Sequence, residues 1–295
     1  TYAFIALVFA AAMLVSVTSI AVGIRNARER VFSELESIVI LKTQALNTWV
    51  DDLQFALDSL IIEGYELDQA MSLLTAGPGG DVERNARFEL SRRFYEVMDR
   101  TAWYEEIFLI SPQGEIVFST DPEREGQSVV AELYYNKGLE SPYVQPPIYD
   151  PEREELVMFF AKPLKRPGGV TSGVLAARSS ASQINRVMAT DTLGDTGDVY
   201  LVGPDFRIVT QAREHPGFDL VHSQGIDHVM IERPELERDT YDDYRGVPVL
   251  GVYAWVPKLR SSVVAEFDEM QVLRGARLTL VVNTLAGLLV IGAAA

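Results

Sequence analysis

The sequence predicts an α+β protein in which a long N-terminal helix carries two tandem antiparallel α/β modules, flanked by two transmembrane helices. Three observations predict it. Both ends of the 295-residue chain, 1–24 and 278–295, lack charged residues, so the whole net charge of −16 falls on the middle. Residues 25–75 contain no proline and, apart from Gly64, no glycine. A strand–turn–strand pattern then occurs twice, at a constant offset of 92.

Residues 2–24 are uncharged and mostly apolar. As a helix they would reach about 35 Å at ~1.5 Å per residue, enough for a bilayer core of ~30 Å. A secretory signal peptide is the rival reading, with a shorter apolar core of about 7–15 residues; the basic stretch that would precede it could lie before Thr1. The segment 278–295 is interrupted only by Thr279, Asn283 and Thr284 and reads as a second span, with an output half expected beyond it. Arg25, Arg28, Arg30, Arg274 and Arg277 border the spans. Counted alone they favour a cytoplasmic middle, but long domains translocate largely regardless of charge. The absence of cysteine fits an exported domain, and the middle is expected outside the cytoplasm.

The long helix is expected over 25–75, closed by Ala76, Gly77, Pro78, Gly79 and Gly80. Val31, Leu35, Ile38, Lys42, Ala45 and Trp49 alternate spacings of four and three, and Leu53, Ala56 and Leu60 continue the stripe. That stripe can pack on its own domain, on a second copy, or on each over different stretches. A second helix, 83–100, is expected to return alongside.

The internal repeat is the most informative feature. IFLISPQGEIV at 107–117 matches VYLVGPDFRIV at 199–209, each reading as a buried strand, a tight turn and a second strand. Two further apolar runs follow each copy: 156–164 and 170–178 in the first, 247–256 and 262–267 in the second. A helix follows each time, over 180–190 and over 268–277. The second leads into the membrane without glycine or proline before Gly275.

Composition excludes several chemistries. An acidic chain repels nucleic-acid phosphates. Without cysteine there is no disulfide, thiolate zinc site, iron–sulfur cluster or cysteine nucleophile. His215, His222 and His228 lack ligand spacing and fall in a polar insertion, and no nucleophile elbow or phosphate-cradling loop occurs. The acidic run 232–243 reads as a solvated loop, and Asp191, Asp195 and Asp198 as turn and cap residues. No catalytic residue, metal or cofactor is expected.

A binding pocket is expected instead. Residues 121–150, between the first module's strand pairs, concentrate aromatics and prolines without helical periodicity, which suits a loop-rich lid over a sheet. Tyr134, Tyr135, Tyr143, Tyr149 and Asp150 are its candidate ligand contacts. The opposite wall is the strand 158–162, where alternation points either Phe160 and Lys162 or Phe159 and Ala161 inward. Phe160 and Lys162 complete the candidate set, with Asp150 suited to a cationic ligand and Lys162 to an anionic one.

The two-span plan with a duplicated helix–strand–turn–strand unit resembles the double Cache sensor domain of bacterial receptors, whose modules are PAS-like. The resemblance rests on Trp103-Tyr104 leading to IVFST at 116–120, GDTGDVYLV at 194–202, DYRGVPVLG at 243–251 and Val264-Ala265-Glu266. It implies a stalk helix over 25–80, a membrane-distal ligand-binding module over 81–196 and a membrane-proximal module over 197–268. A juxtamembrane helix over 269–277 would join the latter to the second span. It also implies an extracytoplasmic input domain at the bacterial inner membrane, homodimeric through the long helix and spans, that passes a small helix movement to an output domain. Amino-acid-sensing members carry an Arg shortly before a Trp-Tyr pair. This chain has Ala131-Glu132-Leu133-Tyr134-Tyr135 without that Arg, so amino-acid specificity is not implied. The competing expectations are a membrane-tethered extracytoplasmic enzyme and a ligand-free dimerisation or partner-binding ectodomain.

Overall fold

The first helix owes its length to an uninterrupted run of helix-compatible residues and its position to one apolar face. In the computed structural model, which describes residues 2–61, 64–75, 79–150, 155–166, 168–180, 182–189, 197–210 and 220–272, with side chains from residue 14, α1 runs over Tyr2–Leu60. Leu35, Val39, Leu46, Val50, Leu53, Leu57 and Leu60 are fully or almost fully buried along it. These spacings of three, four and seven keep one stripe turned toward the sheets. Burial of each such side chain contributes roughly 1.5–3 kcal/mol. The expected stripe therefore packs on its own domain at Leu35, Trp49, Leu53, Ala56 and Leu60, while Ile40, Leu41 and Phe55 stay exposed.

The single helix expected over 25–75 is in fact two. α1 stops at Leu60, and Gly64 adopts φ +114, a backbone that side chains resist, before α2 (Tyr65–Thr75) turns away. The helix expected over 83–100 is α3 (Asp81–Thr101), with Ala86, Leu90, Phe94 and Val97 buried and Ala102 ending it in the left-handed conformation. The start of α1 covers the expected first span. Among the described residues no helix is long and apolar enough to cross a membrane. The expected second span, 278–295, lies outside the described residues.

Two antiparallel sheets follow. The first contains β1 (Glu106–Ile110), β2 (Ile116–Ser119), β3 (Tyr143–Asp150), β4 (Glu155–Lys165) and β5 (Thr171–Ser180), in the order β2-β1-β5-β4-β3. A short helix, α4 (Leu133–Glu140), lies on its outer face, and α5 (Ser182–Met188) leads toward the second sheet. That sheet contains β6 (Gly197–Val202), β7 (Glu237–Asp242), β8 (Pro248–Val256) and β9 (Ser261–Asp268), in the order β6-β9-β8-β7, with α6 (Gln224–Glu232) as the counterpart of α4. The repeat is thus structural: β1, β5, β4 and β3 correspond to β6, β9, β8 and β7. The counterpart of β2 is reduced to the bridge between Val202 and Ile208.

Alternation divides each sheet into two faces. The inner faces share one continuous cluster with α1 and α3. Ile107, Leu109, Met158, Phe160, Leu175 and Ala177 enter it from the first sheet, and Leu201, Val252, Ala254, Val263 and Ala265 from the second. The outer faces form two separate cores, one beneath α4 and one beneath α6.

Two loop expectations are corrected. The lid 121–150 contains α4 and the edge strand β3, and its helix approaches so closely that a Cβ on Gly138 would come within 2.8 Å of the Ala161 methyl and 3.0 Å of Val174. Half of the acidic run 232–243 is the edge strand β7, whose outward charges discourage pairing with another sheet edge.

Candidate functional site

The outer face of the first sheet is organised as two rows running across the strands. Register places Gln145, Phe159, Arg178 and Glu106 side by side on β3, β4, β5 and β1. The adjacent row on the same face is Tyr143, Ala161, Ala176 and Phe108. Small residues in the middle of the second row leave space for α4 to settle, and polar residues occupy the first.

Tyr134 of α4 roofs both rows. Its ring stacks on Phe159 at 4.3 Å and meets Phe108 edge-on at 6.0 Å. Such geometries are favoured by the ring quadrupole. The Tyr134 hydroxyl faces the Arg124 guanidinium, and Oε1 of Gln145, which is 4% exposed, has no hydrogen-bond partner among the described residues. Burial, partly offset by the Arg124 guanidinium, pushes the Tyr134 phenol up to about 12. Tyr135 donates instead to the Pro112 carbonyl at 2.9 Å.

A charged cluster closes one end of the site. Glu106 is completely buried and accepts from Ser119 Oγ at 2.7 Å, Arg124 Nη1 at 2.8 Å and Arg178 Nε at 3.4 Å. Arg178 also pairs with Glu105 at 3.1 Å and Glu155 at 3.3 Å. Arg124, from the short turn Pro122–Arg124, lies over the Phe108 ring at 5.0 Å. A buried charge is tolerated only with such full compensation. Glu105 and Glu155 reach the cluster from the more exposed side, so its buried part is one carboxylate held between two guanidiniums, next to an aromatic wall and the unpaired Gln145 oxygen.

The structure brings together some of the sequence candidates and separates others. Tyr134, Tyr135 and Tyr143 share the outer core. Tyr149 and Asp150 lie farther along β3, opposite Leu156 and Glu155, with Tyr149 half-exposed. The alternation left open on β4 resolves as Phe159 and Ala161 toward α4. Phe160 instead packs in the inner cluster against Tyr104, 6.0 Å away. Lys162 donates to the carbonyls of Asp58 at 2.9 Å and Ile61 at 3.3 Å, and so caps the end of α1. Burial lowers its pKa, with Asp58 acting in the opposite direction.

Glu106, Arg124, Arg178 and Gln145 escaped the sequence reading. The available signal was a single charge in an otherwise apolar strand: Glu106 heads Ile107-Phe108-Leu109-Ile110, and Arg178 follows Val174-Leu175-Ala176-Ala177. Elsewhere, His222 and His228 lie at the surface with Asp227 at 2.8 Å and Glu237 at 2.9 Å. His215, Asp191 and Asp195 lie outside the described residues.

No family model and no curated protein matches the chain. Solved structures do. The ligand-binding domain of the Campylobacter jejuni chemoreceptor Tlp3, in complex with 4-methylisoleucine, matches 84% of this chain and 94% of its own length, with a TM-score of 0.63 and 14% identity. The ligand-binding domain of the Pseudomonas aeruginosa amino acid chemoreceptor PctB, in complex with L-Arg, matches 83% and 98%, at 0.55 and 13%. That of PctC from the same organism, in complex with GABA, matches 80% and 99%, at 0.55 and 17%. The chain therefore has the fold of the double-module sensory domains of chemoreceptors, the fold that the resemblance in its sequence implied.

Proposed function

We propose that this chain is the extracytoplasmic sensory input domain of a bacterial transmembrane receptor. A small molecule binds the outer face of the distal sheet beneath α4, and the response travels along α1 to an output domain outside this sequence. One observation carries the reading: a buried ion cluster and the unpaired Oε1 of Gln145 lie beside an aromatic wall, beneath the helix α4. A folded domain built only to dimerise gains nothing from leaving a buried amide oxygen without a partner, which costs about 1–3 kcal/mol. A guest bearing a hydrogen-bond donor satisfies that oxygen.

Tyr134 now fills the space over Phe159, so entry of a guest displaces that ring and tilts α4. Because Lys162 on β4 holds the end of α1 and Phe160 packs toward it, displacement on one face of β4 is felt on the other. A helix shift of roughly 1–2 Å is the usual scale of such signals. Dimerisation through α1, embedding by 1–24 and 278–295, and a periplasmic location belong to the same proposal. Exposure of Ile40, Leu41 and Phe55 on the face of α1 away from the sheets supports a second copy there.

A thermal-shift screen of amines, amino acids and small carboxylates against the protein tests the proposal, since a ligand selective for the folded state raises its melting temperature by mass action. A compound bearing hydrogen-bond donors is expected to give the largest shift, and Tyr134→Ala to abolish it. A well-folded protein that responds to no compound in any class returns the ligand-free ectodomain reading.

A further inference from the structure

We propose that the proximal module carries a proton-sensing device of its own, in which Glu266 switches between ionised and protonated forms and so moves the exit of β9 relative to α1. Glu266 lies on the outer face of the second sheet and is 2% exposed. Its Oε1 accepts from Tyr241 Oη at 2.8 Å and its Oε2 from Tyr200 Oη at 2.9 Å. Register sets Asp198 of β6 on one side of it and Gly251 of β8 on the other. The absence of a side chain at Gly251, and at Gly225 of α6, is what admits the Tyr241 ring, which a Cβ at either position would strike.

Among the described residues, few charged and titratable groups surround Glu266. Asp198 faces it across the β6–β9 pair. Asp243, from the turn after β7, is buried but held by Arg245 Nε at 2.7 Å and by the backbone N–H groups of Arg245 and Val247. Tyr244 follows it on the same turn, its ring edge-on to Tyr200 at 5.7 Å. Tyr253 of β8 lies 6.2 Å from the Tyr241 ring. The buried residues of α6 are Gly225, Ile226 and Val229, none of them charged. Among the described residues, the two phenols are the hydrogen-bond partners of Glu266, and no cation pairs with it. Burial, offset in part by those phenols and reinforced by Asp243 and Asp198, pushes its carboxyl up to about 7.

The two protonation states demand different arrangements. Ionised, Glu266 accepts from both phenols and sets its charge against Asp198 across one strand pair. Protonated by water, it donates its O–H to one phenol oxygen, whose own proton must turn elsewhere, and the opposition to Asp198 ends. Three residues on, Glu269 pairs with Arg28 of α1, so β9 hands directly to the contact between the entering and leaving helices. Loss of the proton therefore loosens β9 from β6 and displaces that contact.

The chain has no cysteine, so Arg30→Cys and Met270→Cys give the sole attachment points for a spin-label pair across α1 and the exit helix. In the full chain held in lipid nanodiscs, the interspin distance is expected to change by roughly 1–2 Å between pH 5.5 and 8.5. Its midpoint is expected near 7, and Glu266→Gln is expected to abolish the change. Asp198→Asn, by removing the facing carboxylate, is expected to move the midpoint to lower pH. A distance indifferent to pH, a change that survives Glu266→Gln, or a midpoint unmoved by Asp198→Asn would overturn the proposal. Should Glu266→Gln fail to fold, the parent titration and Asp198→Asn decide it.

Discussion

The outer faces of the two sheets are built on one pattern and filled with opposite chemistry. Glu106 and Asp198 occupy the same place in the repeat, and each faces a β-strand neighbour in register. In the distal sheet that neighbour is Arg178, and the result is a compensated ion cluster. In the proximal sheet it is Glu266, and two carboxyl groups oppose each other. The roof differs as well: an aromatic hydroxyl comes from the helix α4 in one module and from the edge strand β7 in the other. A duplicated scaffold thus holds one pair of opposite charges and another whose interaction depends on a proton. What was duplicated is the geometry of the row, and the residues within it were free to diverge.

Breaking the distal pair has the largest expected effect. Glu106→Ala removes the buried carboxylate that Ser119, Arg124 and Arg178 share, leaving Arg124 without its ion-pair partner, and is expected to cost about 3–5 kcal/mol in denaturant unfolding. The proximal pair should behave in the reverse sense. Glu266 has its carboxyl raised in the folded state above the ~4.3 typical of an exposed Glu, so the folded protein holds the proton more tightly than the unfolded chain. Its stabilisation is complete below that lower value and lost progressively as pH rises through about 7. The melting temperature of the parent protein is therefore expected to fall between pH 5 and 8. Glu266→Gln should flatten that fall and exceed the parent at pH 8 by a few kcal/mol, on the order of two pKa units of linkage.

Packing sharpens the comparison at a smaller scale. Gly138→Ala pushes α4 off Ala161 and Val174, while Gly251→Ala strikes the Tyr241 ring. Each is expected to cost about 1–3 kcal/mol by overpacking, and only the second should also alter the pH dependence of melting. The smallest effect is expected from Lys162→Met, which removes the cap on α1 and should cost about 1 kcal/mol, read as a shift in urea midpoint.

Much of the architecture was legible because strand–turn–strand units carry strong local signals. Paired apolar runs around Pro112-Gln113-Gly114 and Pro204-Asp205 declare themselves by alternation and turn chemistry, and the repeat removed ambiguity about either alone. α4 was missed because eight residues beginning at Leu133, with Gly138 inside, show too little periodicity to distinguish a helix from a loop. The break at Gly64 was hidden for the opposite reason, since apolar spacing continues on both sides of it. The orientation of β4 had no local signal: residues 156–161 are buried on both faces, so nothing polar marks which of Phe159 and Phe160 faces the helix α4. Glu106 and Arg178 lie 72 positions apart and become a pair only when β1 and β5 align. Single charges in apolar strands are therefore worth treating as candidates for each other.

The inner cluster joins both sheets to a single helix, and that has a bearing on how the molecule can be divided. A fragment starting at β6 would carry Leu201, Val252, Ala254, Val263 and Ala265 with no cover, while one ending at α5 would leave Leu35, Val39 and the lower length of α1 wet. Neither half is a self-sufficient piece, so recombination, truncation or proteolytic nicking between the modules yields sticky remnants rather than a working part, and the pair must be inherited, expressed and unfolded as one.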